Sequence, residues 1–140
     1  VAIKMVPWNH VRHWGELPHG TRAPLEMVLL DKVSTGSPGV IQLLEWLELP
    51  NNIMMMLERL ERCQDLQHFI WAWDFLSKEV VWELFCQALE AVWHCTSCGV
   101  LHRDIKPENI LLNLATRQAK FIDFGCGTDL QDTAYTHLAG

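Results

Sequence analysis

The chain has 140 residues, 49% of them hydrophobic and 20% charged, with a formal net charge of −6. One domain of that composition can bury a core and is too apolar to stay disordered. The acidic balance argues against nucleic-acid binding through a basic face, and no apolar run reaches the roughly 18 residues that a membrane helix needs.

In chain order, VAIKMV (1–6) reads as a β-strand with one charge, Lys4. NHVRHWGELPHGTR (9–22) is polar and turn-rich. Pro24 suits the first position of a helix, and Leu25, Val28, Leu29 and Lys32 recur at helical spacing, predicting a helix over LEMVLLDKV. STGSPG ends it. VIQLLEWLEL (40–49) and NIMMMLER (52–59) predict two strands joined at PNN as a hairpin. From residue 65 the period changes, and DLQHFIWAW (65–73) predicts a short amphipathic helix. Ser77 can cap the next helix, with Glu79 in its first turn, where an acid suits the helix dipole. That helix, 78–98, ends at Gly99, a good residue for the left-handed turn beyond a helix. A strand ILLN (110–113), a turn LATRQ and a strand KFID (120–123) follow. Strands with one helix, then mostly helices, give an α+β fold with a lobe boundary near residues 58–65.

The stretch GVLHRDIKPENILLN (99–113) packs His102, Arg103, Asp104, Lys106, Glu108 and Asn109 between two apolar runs. Asp104 and Asn109 lie five apart and flank Lys106. Asp123 follows Asp104 by nineteen residues, inside DFG, and Glu26 follows Lys4 by 22. V-A-I-K, an acid on the next helix, H-R-D-x-x-x-x-N and D-F-G, in that order, form the protein-kinase signature. Each piece alone is weak; the ordered set is strong. Phosphoryl transfer explains the residue types, because it needs positioning and charge neutralisation more than covalent chemistry. Lys4 would contact the α- and β-phosphates and pair with Glu26. Asp123 would hold one Mg²⁺ and Asn109 a second. Asp104 would take or orient the proton of the attacking hydroxyl, and Lys106 would neutralise the γ-phosphate.

WGELPHGTR, GVIQLLEW, HCTSCGVLHRDIK and DTAYTHLAG resemble the Pim family of serine/threonine kinases, and the similarity runs along the whole chain. The resemblance implies a truncated, protein-kinase-like bilobal fold: residues 1–59 as a partial N-lobe, and 60–140 as a partial C-lobe with hinge, catalytic loop and the start of the activation segment. It lacks the Gly-rich loop and most of the C-lobe; the chain opens mid-strand, and both ends read as cut. By the same resemblance Ala2 would roof an adenine and Leu111 would floor it, with Ile122 beneath, Leu57 as gatekeeper, and Glu58 and Leu60 in the hinge. Leu30, Leu43, His102 and Phe124 would stack as an internal spine. Asp65 and Glu108 match acids that read arginine-rich substrates, whereas His68 and Pro107 stand where two further acids are usual. Leu60 replaces a hinge proline and so restores a backbone N–H. His137 replaces an acid that pairs with the loop arginine, here Arg103. The implied activity is ATP- and Mg²⁺-dependent transfer of the γ-phosphoryl group to Ser/Thr hydroxyls of proteins with basic flanking residues. The implied enzyme is a monomeric serine/threonine kinase without nucleic-acid or membrane partners; the alternative is an inactive kinase-derived scaffold.

Several residues have plainer readings. His102 resembles a base or metal ligand, but in this motif a packed core position suits it better. Cys95 and Cys98 form a C-x-x-C, yet zinc needs a second ligand pair, and small buried hydrophobes explain them better. The odd cysteine count, five, and the missing secretory leader point to reduced thiols in the cytoplasm or nucleus. The seven tryptophans and the run Met54–Met56 read as core or lobe-interface residues. Thr133, Tyr135 and Thr136 fall where activation segments are modified.

Overall fold

The computed structural model describes residues 1–131. In chain order its elements are β1 (Ala2–Pro7), β2 (Trp14–Glu16), β3 (Arg22–Pro24), α1 (Leu25–Val33), β4 (Leu43–Glu48), β5 (Asn52–Leu57) and β6 (Cys63–Asp65). There follow α2 (Leu66–Ala72), α3 (Lys78–Ser97), β7 (Val100–Leu101), β8 (Ile110–Asn113), β9 (Ala119–Phe121) and β10 (Thr128–Asp129). Short 3-10 turns occupy Trp8–His10 and Pro107–Asn109.

β1, β5 and β4 form one antiparallel sheet in the order β1-β5-β4, and the β4–β5 hairpin closes at the predicted PNN turn. Period-two alternation in β1 turns Ile3 and Met5 outward, while Ala2 and Lys4 line a cavity. α1 is the buried helix of this half, with Met27, Val28, Leu29, Leu30 and Val33 all inside. Of the three consecutive methionines only Met55 is fully buried; Met54 and Met56 are half-exposed.

The second half is built on the sheet β6-β8-β9 and on α3. Ser77 caps α3 by accepting a hydrogen bond from Val80 N, as expected. Gly99 beyond its end has φ +75, the left-handed conformation that glycine adopts without a Cβ penalty. One stripe of α3, with Leu84, Ala91 and partly buried neighbours, packs on Phe69, Ile110, Leu112 and Phe121. Cys95, on the same helix, joins Leu29, Leu30, Val33, Val40 and Phe124 in a cluster that bridges the two halves.

Three sequence expectations need correction. The polar stretch 9–22 is more than turns: it contains β2, which pairs with β3 at 22–24, and α1 packs on both strands. Pro24 is the last residue of β3 and the N-cap of α1, one place before the helix proper. Most tryptophans are not core. Trp14, Trp71, Trp73, Trp82 and Trp93 are exposed, the last at 76%. Trp82, Phe85, Leu89 and Trp93 recur at helical spacing along the outward stripe of α3, so this helix is apolar on both faces.

Candidate active site

Lys4 sits at the centre of β1, opposite Met55 of β5, which points its amine across the sheet toward α1. There it donates a hydrogen bond to Glu26 Oε1, in the first turn of that helix. The same amine lies 3.9 Å from Asp123 Oδ1. Three charges, 119 residues apart at the extremes, therefore meet, and all three line a single cavity of about 770 Å³. Ala2, Leu57, Glu58, Leu60, Leu111 and Ile122 line it as well, so every nucleotide-site residue expected from the sequence faces the same space. Apolar side chains such as Leu30, Ile41, Met55 and Phe124 complete the lining on one side, and the charged run Glu58–Arg62 borders it on another.

Asp104, Lys106 and Asn109 form a second cluster that does not line that cavity. Asn109 is buried, and its Nδ2 donates to both the backbone O and the Oδ2 of Asp104, each at 2.9 Å. Lys106 Nζ approaches Asp104 Oδ2 at 3.2 Å. The hydrogen bond and charge of Asp104 raise the Lys106 pKa, so its ammonium is held in the charged form. Asp104 Oδ2 is thus approached from two sides, by Asn109 and by Lys106.

Backbone bonds join the clusters. Ile122 N donates to Asn109 O at 3.0 Å. His102 Nε2 donates to Ile122 O at 2.8 Å, and its Nδ1 accepts from Asp104 N at 3.2 Å. Both ring nitrogens are thus used, which fixes the neutral Nε2–H tautomer. The ring is 4% exposed and packs against Phe124 at 4.6 Å between centroids. His102 is a strut between Asp104 and the segment carrying Asp123, not a base. Leu30 and Phe124 share one buried cluster, and Leu43 packs against it, as the spine reading requires.

Two residues of the site are in the left-handed backbone region: Arg103 with φ +63 and Asp123 with φ +59. Such conformations cost non-glycine residues on the order of 1–3 kcal/mol and persist where the surroundings hold them. Here Arg103 Nε donates to Cys126 O at 2.8 Å, and Asp123 Oδ1 accepts from Gly125 N at 3.1 Å. Each bond secures the loop just after Asp123. Gly127 closes that loop, where an added Cβ would lie 2.8 Å from Leu29 Cδ1 and 3.0 Å from Phe124 O.

Away from the cleft, Asp65 caps α2. Its Oδ1 accepts from His68 N at 2.9 Å, and its Oδ2 contacts His68 Nδ1 at 2.6 Å. Those bonds, led by the one from the His68 backbone, hold its pKa below the ordinary carboxylate value. The carboxylate expected to read substrate is therefore occupied by a neighbour. Glu108 is exposed; with the Gln67 amide oriented to satisfy both neighbours, Gln67 donates to Glu108 Oε1 at 3.2 Å and accepts from Trp71 Nε1 at 2.7 Å. Sequence reasoning did not single out Lys120, which lies in β9, 9% exposed, and donates to Glu58 Oε1 at 2.8 Å. Its signal in the sequence is a lysine at the head of the strand KFID, beside the apolar Phe121 and Ile122.

Among the described residues no group of three or more His, Cys, Asp or Glu side chains forms that could hold a metal. Around the C-x-x-C, His94 bonds Val33 O through Nε2, and Cys95 is buried with its pKa pushed up to about 11 by desolvation. A thiol that resists ionisation is a poor zinc ligand. His137, Thr133, Tyr135 and Thr136 lie outside the described residues.

The protein kinase domain family matches residues 1–140. The chain belongs to the protein kinase family. Among named relatives it is 36% identical to serine/threonine-protein kinase pim-2 of Danio rerio, over all of this chain and 48% of that protein. It is also 36% identical to serine/threonine-protein kinase prk-2 of Caenorhabditis elegans, over all of this chain and 31% of that protein. Sperm motility kinase 2A of Mus musculus is 32% identical over 94% of the chain and 24% of its own length. The kinase chain described here therefore spans less than half the length of the curated relatives it matches, and within the family it is Pim-like.

Proposed function

We propose that the chain carries the nucleotide-binding and phosphoryl-transfer machinery of a protein serine/threonine kinase, with residues 1–59 and 60–140 as parts of its two lobes. One observation carries the reading: the Lys4 amine, bonded to Glu26, stands 3.9 Å from Asp123, and all three line the cavity that Ala2, Leu57, Leu111 and Ile122 also line. An amine held between two carboxylates is fixed in position. It is set to meet phosphate oxygens. Ala2, Leu57, Leu111 and Ile122 would enclose an adenine, and Glu58 and Leu60 present backbone groups to its edge.

The donor set fits magnesium. Mg²⁺ prefers hard oxygens and takes one or two protein ligands, with phosphates and water completing its shell. Asp123 and Asn109 would supply those oxygens; the two Asn109 bonds to Asp104 use Nδ2 and not Oδ1. Magnesium, when bound, neutralises charge on the phosphates. The Asp104 carboxylate would orient the acceptor hydroxyl and take its proton, while Lys106, kept protonated by Asp104, would balance charge on the transferring group.

The preference for Ser/Thr acceptors with basic flanks rests on the Pim-like sequence and on exposed Glu108. Asp65 adds less than the sequence suggests, because His68 occupies it. A monomer in the cytoplasm or nucleus completes the proposal. The test is transfer of labelled γ-phosphate to an arginine-rich peptide by the full-length protein containing this chain. Asp104→Asn should cut the rate by roughly 10²-fold or more, the scale of positioned acid–base catalysis. Equal rates in both proteins would refute the assignment. Nucleotide binding without transfer in either would favour a kinase-derived scaffold.

A further inference from the structure

Lys120 is a cation inside a β-strand, and burial of a charge is unfavourable unless a partner compensates it. Its partner is Glu58, with side-chain exposures of 10% and 21%. Glu58 Oε1 also accepts from Gln42 N at 2.9 Å, while Glu58 N donates to Gln42 O at 3.0 Å. One carboxylate thus ties three segments together: the residue after β5, the approach to β4, and β9.

Both ends of this tie abut the cavity. Glu58 lines it directly. Lys120 pairs with Leu111 across the β8–β9 ladder and lies two residues before Ile122, on the same face, and both of those residues line the cavity. The phosphoryl-transfer chemistry makes no use of Lys120. Its position instead sets where the Glu58 backbone lies relative to the floor made by Leu111 and Ile122.

We infer that Lys120 is a positioning residue for recognition of the nucleotide's base: through Glu58 it holds the Glu58–Leu60 backbone in register with the opposite wall of the cavity. The inference rests on the kinase reading. It separates the two ends of the nucleotide, since Lys4, Glu26 and Asp123 hold the phosphate end independently of the Lys120–Glu58 tie.

The experiment uses the full-length protein containing this chain and measures KM for MgATP and for MgGTP, with kcat for each. Lys120→Met should raise KM for ATP about tenfold, the scale of one well-placed hydrogen bond. KM for GTP should move less, so the preference for ATP falls toward unity while kcat changes little. Lys120→Arg should restore the preference. A purely structural role would lower stability and leave the ATP/GTP ratio alone. If Lys120→Met fails to fold, Lys120→Gln, neutral, polar and too short to reach Glu58 in the same way, serves the same measurement. A folded variant of either kind with the wild-type ratio overturns the inference while leaving the kinase reading intact. A wild-type protein that neither binds nor turns over nucleotide overturns both.

Discussion

Replacing Lys4 with Met separates folding from function more sharply than any other single change. The pair it breaks is partly open to water, with Lys4 38% and Glu26 18% exposed, so screening limits its contribution. Pairs of this kind contribute roughly 0–1 kcal/mol. For a domain of 150–250 residues that corresponds to a fall in Tm of about 4 °C at most. The methionine keeps the length of the side chain, so packing between β1 and α1 survives. The phosphate end of the cavity, however, loses its cation and keeps Glu26 and Asp123, two carboxylates that now repel a triphosphate. Loss of one preorganised electrostatic group costs about 10²–10³ in rate. Nucleotide should also stabilise the wild type, by about 2.7 kcal/mol at a ligand concentration of 100 Kd, and should hardly stabilise the variant. Differential scanning fluorimetry with and without MgATP, beside a transfer assay, reads both effects. A variant that loses more than about 10 °C in Tm, several times the screened-pair value, would show that Lys4 is structural. A variant that keeps both the MgATP shift and the transfer rate would remove Lys4 from the site.

Three other outcomes follow from particular contacts. Gly127→Ala forces a Cβ to within 3.0 Å of the Phe124 carbonyl and closer still to Leu29, so it should destabilise by about 1–3 kcal/mol and slow transfer by displacing Asp123, read by denaturant melts and the same assay. Cys95, with a pKa pushed up to about 11, should carry only about a thousandth of its population as thiolate at pH 8, and mass spectrometry should find it alkylated after half-buried Cys126. The cap made by Asp65 has a depressed pKa, so its contribution is present above the unfolded carboxylate value and lost as pH falls through the lower folded one; NMR titration of that carboxyl should show a midpoint below 3.8, and Asp65→Ala should abolish this acid-range dependence of α2.

Much of the fold was legible because its signals are local. The hairpin of β4 and β5, the cap at Ser77 and the turn at Gly99 each follow from residues within a few positions of one another. The strands that escaped notice, β2, β3, β6, β7 and β10, are two or three residues long, too short to show a period. Their pairing is decided by distant segments; β10 exists only because it lies against β7, 28 residues earlier. The tryptophans failed for another reason. Hydrophobicity predicts burial only when a partner surface is at hand, and the outward stripe of α3 has none among the described residues.

The candidate site divides along the same line. Side-chain identities at fixed offsets revealed Lys4, Glu26, Asp104, Asn109 and Asp123, because charge chemistry restricts which residue types will serve. What holds those groups in place is mostly backbone and could not be read. The Ile122 peptide accepts from His102 through its carbonyl and donates to Asn109 through its N–H, which couples the loop bearing Asp104 to the loop bearing Asp123. Any residue type but proline at position 122 would present the same peptide, so the coupling leaves almost no trace in composition or spacing. The positive φ at Arg103 and Asp123 is equally silent, since neither residue is the glycine that usually marks such a conformation. Both strained residues end in bonds to the 125–126 segment, so the strain and its restraint sit together. Displacing one should displace the other, which makes Arg103 and Gly127 sites where a change remote from any phosphate would still move the Asp123 carboxylate.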